Sequence, residues 1–386
     1  MTPGARVAAA IDILDRIADG LAAEQALSRW ARASRFAGSK DRAAVRDHVF
    51  DVLRHWRSDA ARGGADTGRG RMIGRLRAQG QDVDALFDGQ GHAPAPLSDA
   101  ERAAGTIPEQ PGTAWDVPDW LVPVFERSLG PEAATTTLAL TERAPVTLRV
   151  NTRLTSLDVA MSALADDGIV AAPNPRANTA LTVTEGARRI RATPAYIRGL
   201  VEIQDGSSQA AVAALGAGHR ALDLCAGGGG KALALAAQGW TVTASDIDAA
   251  RMRDLPERAA RGGHDITVIE ADALTRQAPF DLVFVDAPCS GSGTWRRTPD
   301  AKWALTPDRL ADLVQMQRSV LTRAAGLVRP GGCLVYATCS VFQDENTDQV
   351  TWFLTKHPDF DQGQTTHWPV DASGDGFFSA HLTRQA

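Results

Sequence analysis

The chain has 386 residues, more than one compact core usually holds, so we expect two or three domains. With 44% hydrophobic and 23% charged residues, its composition is that of an ordinary globular protein, which excludes a largely disordered or fibrous chain. No apolar run in the sequence approaches the roughly 20 residues that a membrane-spanning helix needs, and we expect no membrane association.

The amino terminus and the cysteines indicate the compartment. The first apolar-periodic stretch contains Asp12, Asp15 and Asp19, so it lacks the uninterrupted core of a signal peptide. None of the four cysteines belongs to a Cys-x-x-Cys pair, and their spacing fits neither a disulfide framework nor a zinc site. We therefore expect a cytoplasmic, monomeric protein with reduced thiols and no metal.

The net charge of −5 is unevenly distributed along the chain. Residues 1–80 hold fifteen Lys and Arg against nine Asp and Glu, a balance of +6, so the remainder carries 26 against 37, or −11. A basic end on an acidic body is the asymmetry expected of an appended nucleic-acid-binding module. A basic, solvated helical face without a partner gives the same count, so charge alone leaves both interpretations open.

Residues 3–77 carry the periodicity of a small helical bundle. The pattern predicts a first helix opened by Thr2-Pro3, a second that follows Gly20 and closes at Gly38, and a third whose apolar stripe runs on to Trp56. Residues 87–113 are rich in Gly, Pro and Ala, which is typical of a linker. The predicted first domain is therefore all-α and, with its linker, covers residues 1–112.

A second segment begins near Asp116 and is predicted to mix strands and helices. Residues 146–150 and 180–183 have the composition of strands, and residues 157–167 between them have that of a helix. We expect a small α+β subdomain over residues 113–200.

From residue 218 onward, strand patterns alternate regularly with helical patterns. The predicted strands are residues 221–224, 241–245, 266–270, 282–285 and 333–336, with helices at residues 232–238 and from Pro307 onward. This alternation predicts an α/β domain with a doubly wound, mostly parallel sheet over residues 201–386.

A glycine-rich loop follows the first of these strands, and Lys231 ends it. Glycines let backbone approach a ligand closely, and Asp246, 23 residues after Asp223, ends the next strand where a carboxylate can accept hydrogen bonds from ribose hydroxyls. Ala232 follows the lysine, so the loop is not a phosphate-binding P-loop. The pattern predicts a nucleoside ligand; the alternative is a tight turn that only packs a helix on the sheet.

Two cysteines follow the ends of two other strands, in residues 286–291 (Asp-Ala-Pro-Cys-Ser-Gly) and 338–340 (Thr-Cys-Ser). Ligands of open α/β sheets bind along that edge, so the two thiols face each other there if the strands are neighbours. Thiols beside a bound nucleoside suit covalent attack on an electron-poor ring. Cys333, inside a strand, is predicted to be a core residue instead, and the same interpretation is open for Cys225.

Four motifs resemble the RsmB/NOP/Sun family of RNA (cytosine-5) methyltransferases. They are residues 223–231 (Asp-Leu-Cys-Ala-Gly-Gly-Gly-Gly-Lys), 286–291, 296–303 (Arg-Arg-Thr-Pro-Asp-Ala-Lys-Trp) and 336–340 (Tyr-Ala-Thr-Cys-Ser). Supporting matches lie at residues 149–152, 204–205, 207–209, 345–346 and 374–378, so the resemblance covers the chain from about residue 116 to its end. The basic first segment looks like the NusB-type RNA-binding bundle of the bacterial RsmB branch.

The resemblance implies a Rossmann-like class I methyltransferase domain, with S-adenosyl-L-methionine as cofactor, beside the small α+β segment and the NusB-like bundle. The residues that match the family's cofactor site are Cys225, Ala226, Gly227, Gly228, Gly229, Gly230, Lys231, Asp246, Asp272 and Asp286. Cys339 matches the nucleophile, Cys289 the cysteine that helps to release the product, and Asp286 the acid beside the base. We expect Arg296, Arg297 and Lys302 to hold RNA phosphates. Gly228 stands where the family usually has proline.

The activity implied by the resemblance is methylation of carbon 5 of a cytosine in RNA. The NusB-like segment favours 16S ribosomal RNA, with transfer RNA as the alternative. An amino-methyltransferase of the same fold is disfavoured because residues 286–289 (Asp-Ala-Pro-Cys) supply a thiol and no aromatic side chain. The other class left open is a non-catalytic RNA-binding or assembly factor with a vestigial methyltransferase fold.

Overall fold

The computed structural model describes residues 1–216, 218–277 and 279–386. It divides into two compact units. The helical unit comprises Met1–Arg143 and Trp295–Leu305, and the sheet unit comprises Ala144–Thr294 and Thr306–Ala386. The predicted domain limits at residues 112 and 200 stay a prediction.

Helices and strands are named here in chain order over the described residues. The α-helices are α1 (Pro3–Ala18), α2 (Ala23–Ala33), α3 (Ser39–Arg54), α4 (Trp56–Gly63), α5 (Gly68–Ala78), α6 (Val83–Leu86), α7 (Asp99–Ala103), α8 (Pro111–Ala114), α9 (Val122–Leu129), α10 (Ala133–Ala139), α11 (Leu157–Asp166), α12 (Pro194–Ile197), α13 (Gly206–Ala213), α14 (Gly230–Ala237), α15 (Leu255–Arg261), α16 (Pro299–Ala304), α17 (Pro307–Ala325) and α18 (Thr347–Lys356). The strands are β1 (Val146–Val150), β2 (Val170–Pro173), β3 (Ala180–Glu185), β4 (Val201–Ile203), β5 (Arg220–Asp223), β6 (Thr241–Ala244), β7 (Ile266–Val268), β8 (Phe280–Asp286), β9 (Val328–Thr338), β10 (Phe360–Trp368) and β11 (Phe377–Arg384). Within these described ranges, none of the helices is both long enough and apolar enough to span a bilayer.

The helical unit is built on α1, α3 and α5. The Thr2 hydroxyl accepts a hydrogen bond from Ala5 N and caps α1, and the apolar residues that recur along α1 then fall on one face. Leu14 of α1, Val49 of α3 and Ile73 of α5 are completely buried in one core. Burial of each such side chain contributes about 1.5–3 kcal/mol, and this shared face holds the short helices together.

Two helix ends differ from the prediction. The second helix ends at Ala33 rather than at Gly38, because Gly38 is instead the N-cap of α3, with Asp41 accepting from its backbone N–H. The third helix ends at Arg54, and the chain bends at His55 before α4 starts with Trp56. The continuous apolar stripe had predicted one helix here because both helices bury their apolar side against the same core.

A buried aspartate on α4 of the helical unit lies close to an arginine on α5. Asp59 is completely buried, and Arg75 Nε lies 3.7 Å from its Oδ1. Burial raises the pKa of Asp59 to about 8, with Arg75 acting in the opposite direction. The folded protein therefore holds this carboxyl protonated at neutral pH, whereas the unfolded chain does not.

Substitution of Asp59 by Asn tests this assignment. Because the pKa of Asp59 is raised from 3.8 to about 8 on folding, its contribution to the free energy of unfolding falls as pH rises between those values. The stability of Asp59→Asn relative to the parent should therefore increase from pH 5 to about pH 8 and then level off. Denaturant unfolding across that range measures the difference.

The exposed Asp12 of α1 supplies the matched control, since Asp12→Asn removes a carboxyl from the surface of the same unit. Asp12→Asn should keep the parent's pH dependence. A pH-independent difference between Asp59→Asn and the parent would contradict a buried, protonated Asp59.

The smaller sheet of the sheet unit has the strand order β2-β3-β1-β4 and is antiparallel throughout. Leu148 of β1 lies opposite Leu181 of β3, and both are completely buried. Ala160 and Leu164, one turn apart on α11, cover this face of the sheet. The α+β character predicted for this part of the chain is present.

The larger sheet has the strand order β10-β11-β9-β8-β5-β6-β7. Strands β9, β8, β5, β6 and β7 run parallel, whereas β10 and β11 pair antiparallel at one end. The predicted α/β class with a doubly wound, mostly parallel sheet is confirmed. The two antiparallel strands were not predicted, because β10 is largely exposed and its residues lack an apolar alternation.

The parallel strands are buried on both faces. Phe284 of β8 faces the core that contains α14, and its neighbour Val285 faces the core that contains α17. Both are completely buried. A sheet covered by helices on both sides leaves its strand ends as the open edge, and that edge carries the polar residues of the candidate site.

Candidate active site

The carboxyl ends of four parallel strands meet at one edge of the larger sheet. Asp223, at the end of β5, is in register with Ala244 of β6, and Asp286, at the end of β8, is in register with Ala337 of β9. The strand order reverses at β5, which has β6 on one side and β8 on the other. Open α/β sheets bind their ligands at such a switch point.

Two free thiols lie together at this edge. Cys289 follows β8 and Cys339 follows β9, and the two sulfur atoms are 3.4 Å apart. Strands β8 and β9 are neighbours in the sheet, which is the condition that the sequence prediction required. Both residues remain partly accessible to solvent, so a reactant can reach them.

Glu345 fixes the loop that carries Cys289. It is completely buried, and its Oε1 accepts hydrogen bonds from Ser290 N at 2.8 Å and Gln317 Nε2 at 3.0 Å. Gln317 also donates to Pro288 O at 3.0 Å, so the loop is held on both sides of the cysteine. The polar Gln317 in the buried face of α17 was the signal that sequence reasoning passed over.

Asn346 fixes the loop that carries Cys339. Thr338 Oγ1 donates to Asn346 Oδ1 at 2.5 Å, and Asn346 Nδ2 donates to Ser340 O at 2.9 Å. The hydroxyls of Ser292 and Ser340, 2.9 Å apart, join the two loops to each other. The adjacent pair Glu345-Asn346 therefore sets the positions of both thiols, a role that the sequence motif alone did not reveal.

The electrostatic surroundings of the two cysteines differ. The hydrogen bond with Cys339 and burial raise the pKa of Cys289 well above its usual value, so Cys289 stays a thiol. Lys231 Nζ donates to Asp286 Oδ2 at 2.5 Å. Burial disfavours its charge, but Asp286 and the nearby Cys339 together raise the pKa of Lys231, which keeps a cation beside Cys339.

The glycine loop needs its glycines at two positions. Gly227 and Gly229 have φ values of 51° and 81°, in the left-handed region where a side chain is disfavoured. A Cβ at Gly229 would also lie 2.2 Å from Leu255 Cδ1, so the loop can pass there only without a side chain. The backbone that opens α14 is thereby exposed toward the strand edge.

Asp246 is the acid that organises this loop. It is 2% exposed, and its Oδ2 accepts a hydrogen bond from Gly227 N at 2.8 Å while its Oδ1 accepts from Asp248 N at 3.0 Å. Arg251 Nη1 lies 3.3 Å from Oδ2 and covers the carboxylate on the solvent side. Asp248 itself caps the next turn by accepting from Ala250 N at 3.1 Å.

The other acids and cysteines near the parallel strands differ in burial. Burial and the nearby Asp286 raise the pKa of the completely buried Asp223 to about 7, and burial raises the pKa of Cys225 to about 12. Asp272 is exposed in the turn after β7.

Cys333, predicted to be a core residue, has a pKa raised to about 11 by burial. Within the described ranges, no three His, Cys, Asp or Glu side chains form a group suited to a metal ion.

The three predicted phosphate-binding residues differ in exposure. Arg296 and Lys302, 3% and 1% exposed, are buried in the helical unit, and only Arg297 of the three is exposed. Lys302 Nζ lies 3.5 Å from Arg54 O, and burial lowers the pKa of Lys302 to about 8. Burial disfavours direct phosphate contact by Arg296 and Lys302, and the assignment of these residues to RNA phosphates stays a prediction.

Comparison with protein families matches most of the chain after the first helices. Residues 210–383 match the family described as 16S rRNA methyltransferase RsmB/F, and residues 117–188 match the ferredoxin-like domain described as Methyltr_RsmF/B-like. The second match includes strands of the small antiparallel sheet, and the first includes all strands of the larger sheet.

Two curated relatives are named Ribosomal RNA small subunit methyltransferase B. They come from Salmonella paratyphi B (strain ATCC BAA-1250 / SPB7) and Salmonella enteritidis PT4, and each is 34% identical over 285 residues. The alignments cover 69% of this chain and 66% of each relative, so the chain spans just under two thirds of their length.

Three solved structures share the fold. The crystal structure of PH0851 has a TM-score of 0.76 at 24% identity and covers 99% of both chains. A methyltransferase homolog protein from Pyrococcus horikoshii has a TM-score of 0.61 at 24% identity over 71% of this chain and 97% of its own. NSun6 from Pyrococcus horikoshii with SFG has a TM-score of 0.62 at 17% identity over 70% and 98%.

The motifs, the site geometry and these matches agree on one family, and S-adenosylmethionine is the methyl donor throughout it. The chain belongs to the RsmB/NOP/Sun family of RNA methyltransferases.

Proposed function

We propose that this protein transfers a methyl group from S-adenosylmethionine to carbon 5 of a cytosine in RNA. The observation that carries the proposal is the pair of thiols, 3.4 Å apart, beside the Lys231–Asp286 ion pair at the carboxyl edge of the sheet. A protein that only binds RNA has no need of two accessible thiols whose loops are held in place by buried hydrogen bonds. This geometry therefore disfavours a non-catalytic assembly factor.

Ribosomal RNA of the small subunit is the proposed substrate. The curated relatives are named for that RNA, and one matching family is described as 16S rRNA methyltransferase. A ribosomal RNA substrate would place the enzyme in the cytoplasm. Transfer RNA is the alternative, since the same thiol chemistry would serve either molecule.

The residues at the strand edge fit S-adenosylmethionine. Gly227–Gly230 form the loop between β5 and α14 at this edge, and Asp246 offers a carboxylate where the ribose of a nucleoside would lie. A ribose hydroxyl that donates to Asp246 Oδ2 would take the place of Arg251, whose side chain is 57% exposed and free to move aside. When bound, S-adenosylmethionine supplies an electrophilic methyl group.

Carbon 5 of cytosine is too weak a nucleophile to accept a methyl group directly. In the proposed mechanism the Cys339 thiolate adds to carbon 6 while Asp286 stabilises a proton at ring nitrogen 3, which makes carbon 5 an enamine carbon. After methylation, carbon 5 gives its proton to water, Cys339 leaves as the thiolate and nitrogen 3 returns its proton, which restores the aromatic ring. The cytosine must first leave any base stack, at a cost of a few kcal/mol that single-stranded or looped RNA lowers.

The two cysteines are assigned by their surroundings. The raised pKa of Cys289 keeps it protonated, which suits a proton carrier during release better than a nucleophile. Cys339 lies close enough to Lys231 to contribute to the raised pKa of that lysine, so a cation lies near this sulfur. We therefore assign attack to Cys339 and assistance in release to Cys289.

Substitution of the nucleophile gives the first test. Cys339→Ala should reduce methyl transfer to RNA below detection and leave the dissociation constant for S-adenosylmethionine within about twofold of the parent. Methyl incorporation from radiolabelled cofactor and isothermal titration measure the two quantities. Cys333→Ala, at the partly buried cysteine within β9, is the matched control and should retain turnover. Retained turnover in Cys339→Ala would remove Cys339 as nucleophile.

Substitution of the second cysteine gives a different outcome. Cys289→Ala leaves the nucleophile in place but removes the group assigned to release, so a covalent protein–RNA complex should accumulate. Denaturing gel electrophoresis detects it as a slower band that requires both RNA and cofactor. If no such band forms while turnover falls, Cys289 does not act in release.

Arg258 holds the glycine loop from outside the cofactor cradle. Its Nη1 donates a hydrogen bond to Gly228 O, and its Nη2 lies 3.2 Å from Glu202 Oε1 on β4. Arg261 Nη2 donates to the other oxygen of Glu202 at 2.6 Å and steadies that carboxylate. Four successive glycines have much conformational freedom to lose, so we infer that Arg258 positions the loop for the cofactor.

Gly228 makes this inference testable, because the effect of Gly228→Ala on cofactor affinity should be opposite with and without Arg258. A Cβ at Gly228 would lie 3.2 Å from Arg258 Nη1, so Gly228→Ala should displace Arg258 and weaken cofactor binding in the parent. Arg258→Ala should weaken it roughly 2- to 10-fold, the value of one net hydrogen bond. In the Arg258→Ala background, Gly228→Ala should instead tighten binding about 2- to 5-fold because alanine restricts the loop.

Isothermal titration with S-adenosylmethionine on the four proteins of this cycle measures the coupling. Additive effects, with Gly228→Ala equally harmful in both backgrounds, would show that Arg258 does not position the loop.

A further inference from the structure

The helical unit uses most of its arginines internally. Residues 1–80 contain fifteen Lys and Arg, and seven of the arginines pair with carboxylates: Arg6, Arg46, Arg54, Arg57, Arg69, Arg71 and Arg75. Arg42 and Arg77 donate to backbone carbonyls instead. Most of the basic side chains of this segment, which the sequence analysis linked to nucleic acid, therefore make contacts within the protein.

Six cations of this segment have no acidic or carbonyl partner among the residues that the structure describes. They are Arg16, Arg29, Arg32, Arg35, Lys40 and Arg62. Four of the six fall within twelve residues, and all four are exposed. Arg29 and Arg32 lie on the last turns of α2, Arg35 lies in the turn that follows it, and Lys40 lies on the first turn of α3. Most of the unpaired positive charge of residues 1–80 therefore lies in residues 29–40.

The carboxylates nearest to these cations along the chain are already neutralised. Glu24 binds Arg46 at 2.6 Å, and Asp41 binds Arg6 at 2.8 Å together with the amino terminus. The Arg6 guanidinium and the amino terminus hold the pKa of Asp41 below its usual value, so the Asp41 carboxylate stays charged and paired with them. Arg29, Arg32, Arg35 and Lys40 consequently present about four uncompensated charges to solvent.

An aromatic side chain lies within this cationic surface. Phe36, directly after Arg35, is 75% exposed, one of the most exposed large apolar side chains described. A groove of about 280 Å³ runs along α2 and is lined by Glu24, Gln25, Ser28, Arg29 and Arg32. Cations beside a solvent-facing aromatic ring and a polar groove are the components of a single-stranded nucleic-acid site.

We propose that this surface, defined by Arg29, Arg32, Arg35, Phe36 and Lys40 and called the α2 surface, binds single-stranded RNA. The four cations contact phosphates, and Phe36 stacks on an unpaired base. The proposal rests on the proposed function, since it names where the RNA substrate is held. It also supplies phosphate contacts, which burial disfavours for Arg296 and Lys302.

The salt dependence of RNA binding tests the cations. The full-length protein is titrated into fluorescein-labelled oligouridine, which lacks cytosine and so reports binding without the reaction, and anisotropy is followed at several salt concentrations. The triple variant R29Q/R32Q/R35Q should lower the slope of log Kd against log salt by about 2, since each phosphate contact on a single strand contributes about 0.7. The double variant R16Q/R62Q, which removes two other unpaired arginines of the same unit, should leave the slope unchanged.

The aromatic contact has a separate signature. Phe36→Ala should weaken binding of oligouridine between about 5- and 100-fold with no change in the salt slope, and Phe36→Trp should restore it. A binding loss in the triple variant that is equal for duplex RNA, with no effect of Phe36→Ala, would overturn the single-stranded assignment. Unchanged affinity and slope in the triple variant would overturn the α2 surface altogether.

Failure of the α2 surface and failure of the proposed function are distinguishable. If the parent methylates RNA and the triple variant shows the same KM for RNA and the same oligouridine affinity, the surface is wrong and the function stands. If the parent methylates no RNA while the triple variant loses oligouridine binding, the surface stands and the function is wrong.

Discussion

The parallel pairing of β8 with β9 is the constraint on which the rest of the site depends. It brings together two loops that are 50 residues apart in the chain and places their cysteine sulfurs 3.4 Å from each other. Buried polar groups hold this arrangement, because Glu345 binds one loop and Asn346 binds the other. Removing either partner would leave a buried polar group unsatisfied, which costs more than the hydrogen bond itself contributes.

The ionisable groups at this edge of the sheet have different contacts and different proposed roles. Lys231 and Asp286 neutralise each other at 2.5 Å, yet each keeps a second role, one beside Cys339 and the other beside the proposed base. Asp246 Oδ2 accepts from Gly227 N of the glycine loop and its Oδ1 accepts from Asp248 N, so the loop and the acid are joined before any ligand arrives. Such preorganisation lowers the conformational cost of binding the cofactor.

The sequence predicted the parallel sheet well because buried strands alternate with amphipathic helices at short spacing. It predicted the proximity of Cys289 and Cys339 only on the condition that their strands were neighbours, since strand order is not written in local pattern. Strand β10 escaped prediction because an exposed edge strand needs little apolar alternation, and the largely buried β11 beside it was not predicted either. The positioning roles of Glu345 and Gln317 escaped it because a buried hydrogen bond between distant residues leaves no local signal.

Basic residues were the least predictable feature, because charge counts do not distinguish a cation in solvent from one buried in an ion pair. Lys302 and Arg296 belong to a motif that resembles a substrate contact, yet they are buried. The arginines at the end of α2 belong to no motif, and their lack of partners emerges only when every ion pair of the helical unit is known. Burial and pairing, rather than composition, therefore decide which cations are available to RNA.

The central claim is that Cys339 forms a bond with carbon 6 of a cytosine. RNA containing 5-fluorocytidine tests it most directly, because fluorine at carbon 5 cannot leave as a proton does and the adduct is trapped in the unaltered enzyme. After protease and nuclease digestion, mass spectrometry should find the modified nucleotide on the peptide that contains Cys339. A nucleotide attached to Cys289 instead, or no adduct while ordinary RNA is methylated at cytosine, would contradict the account.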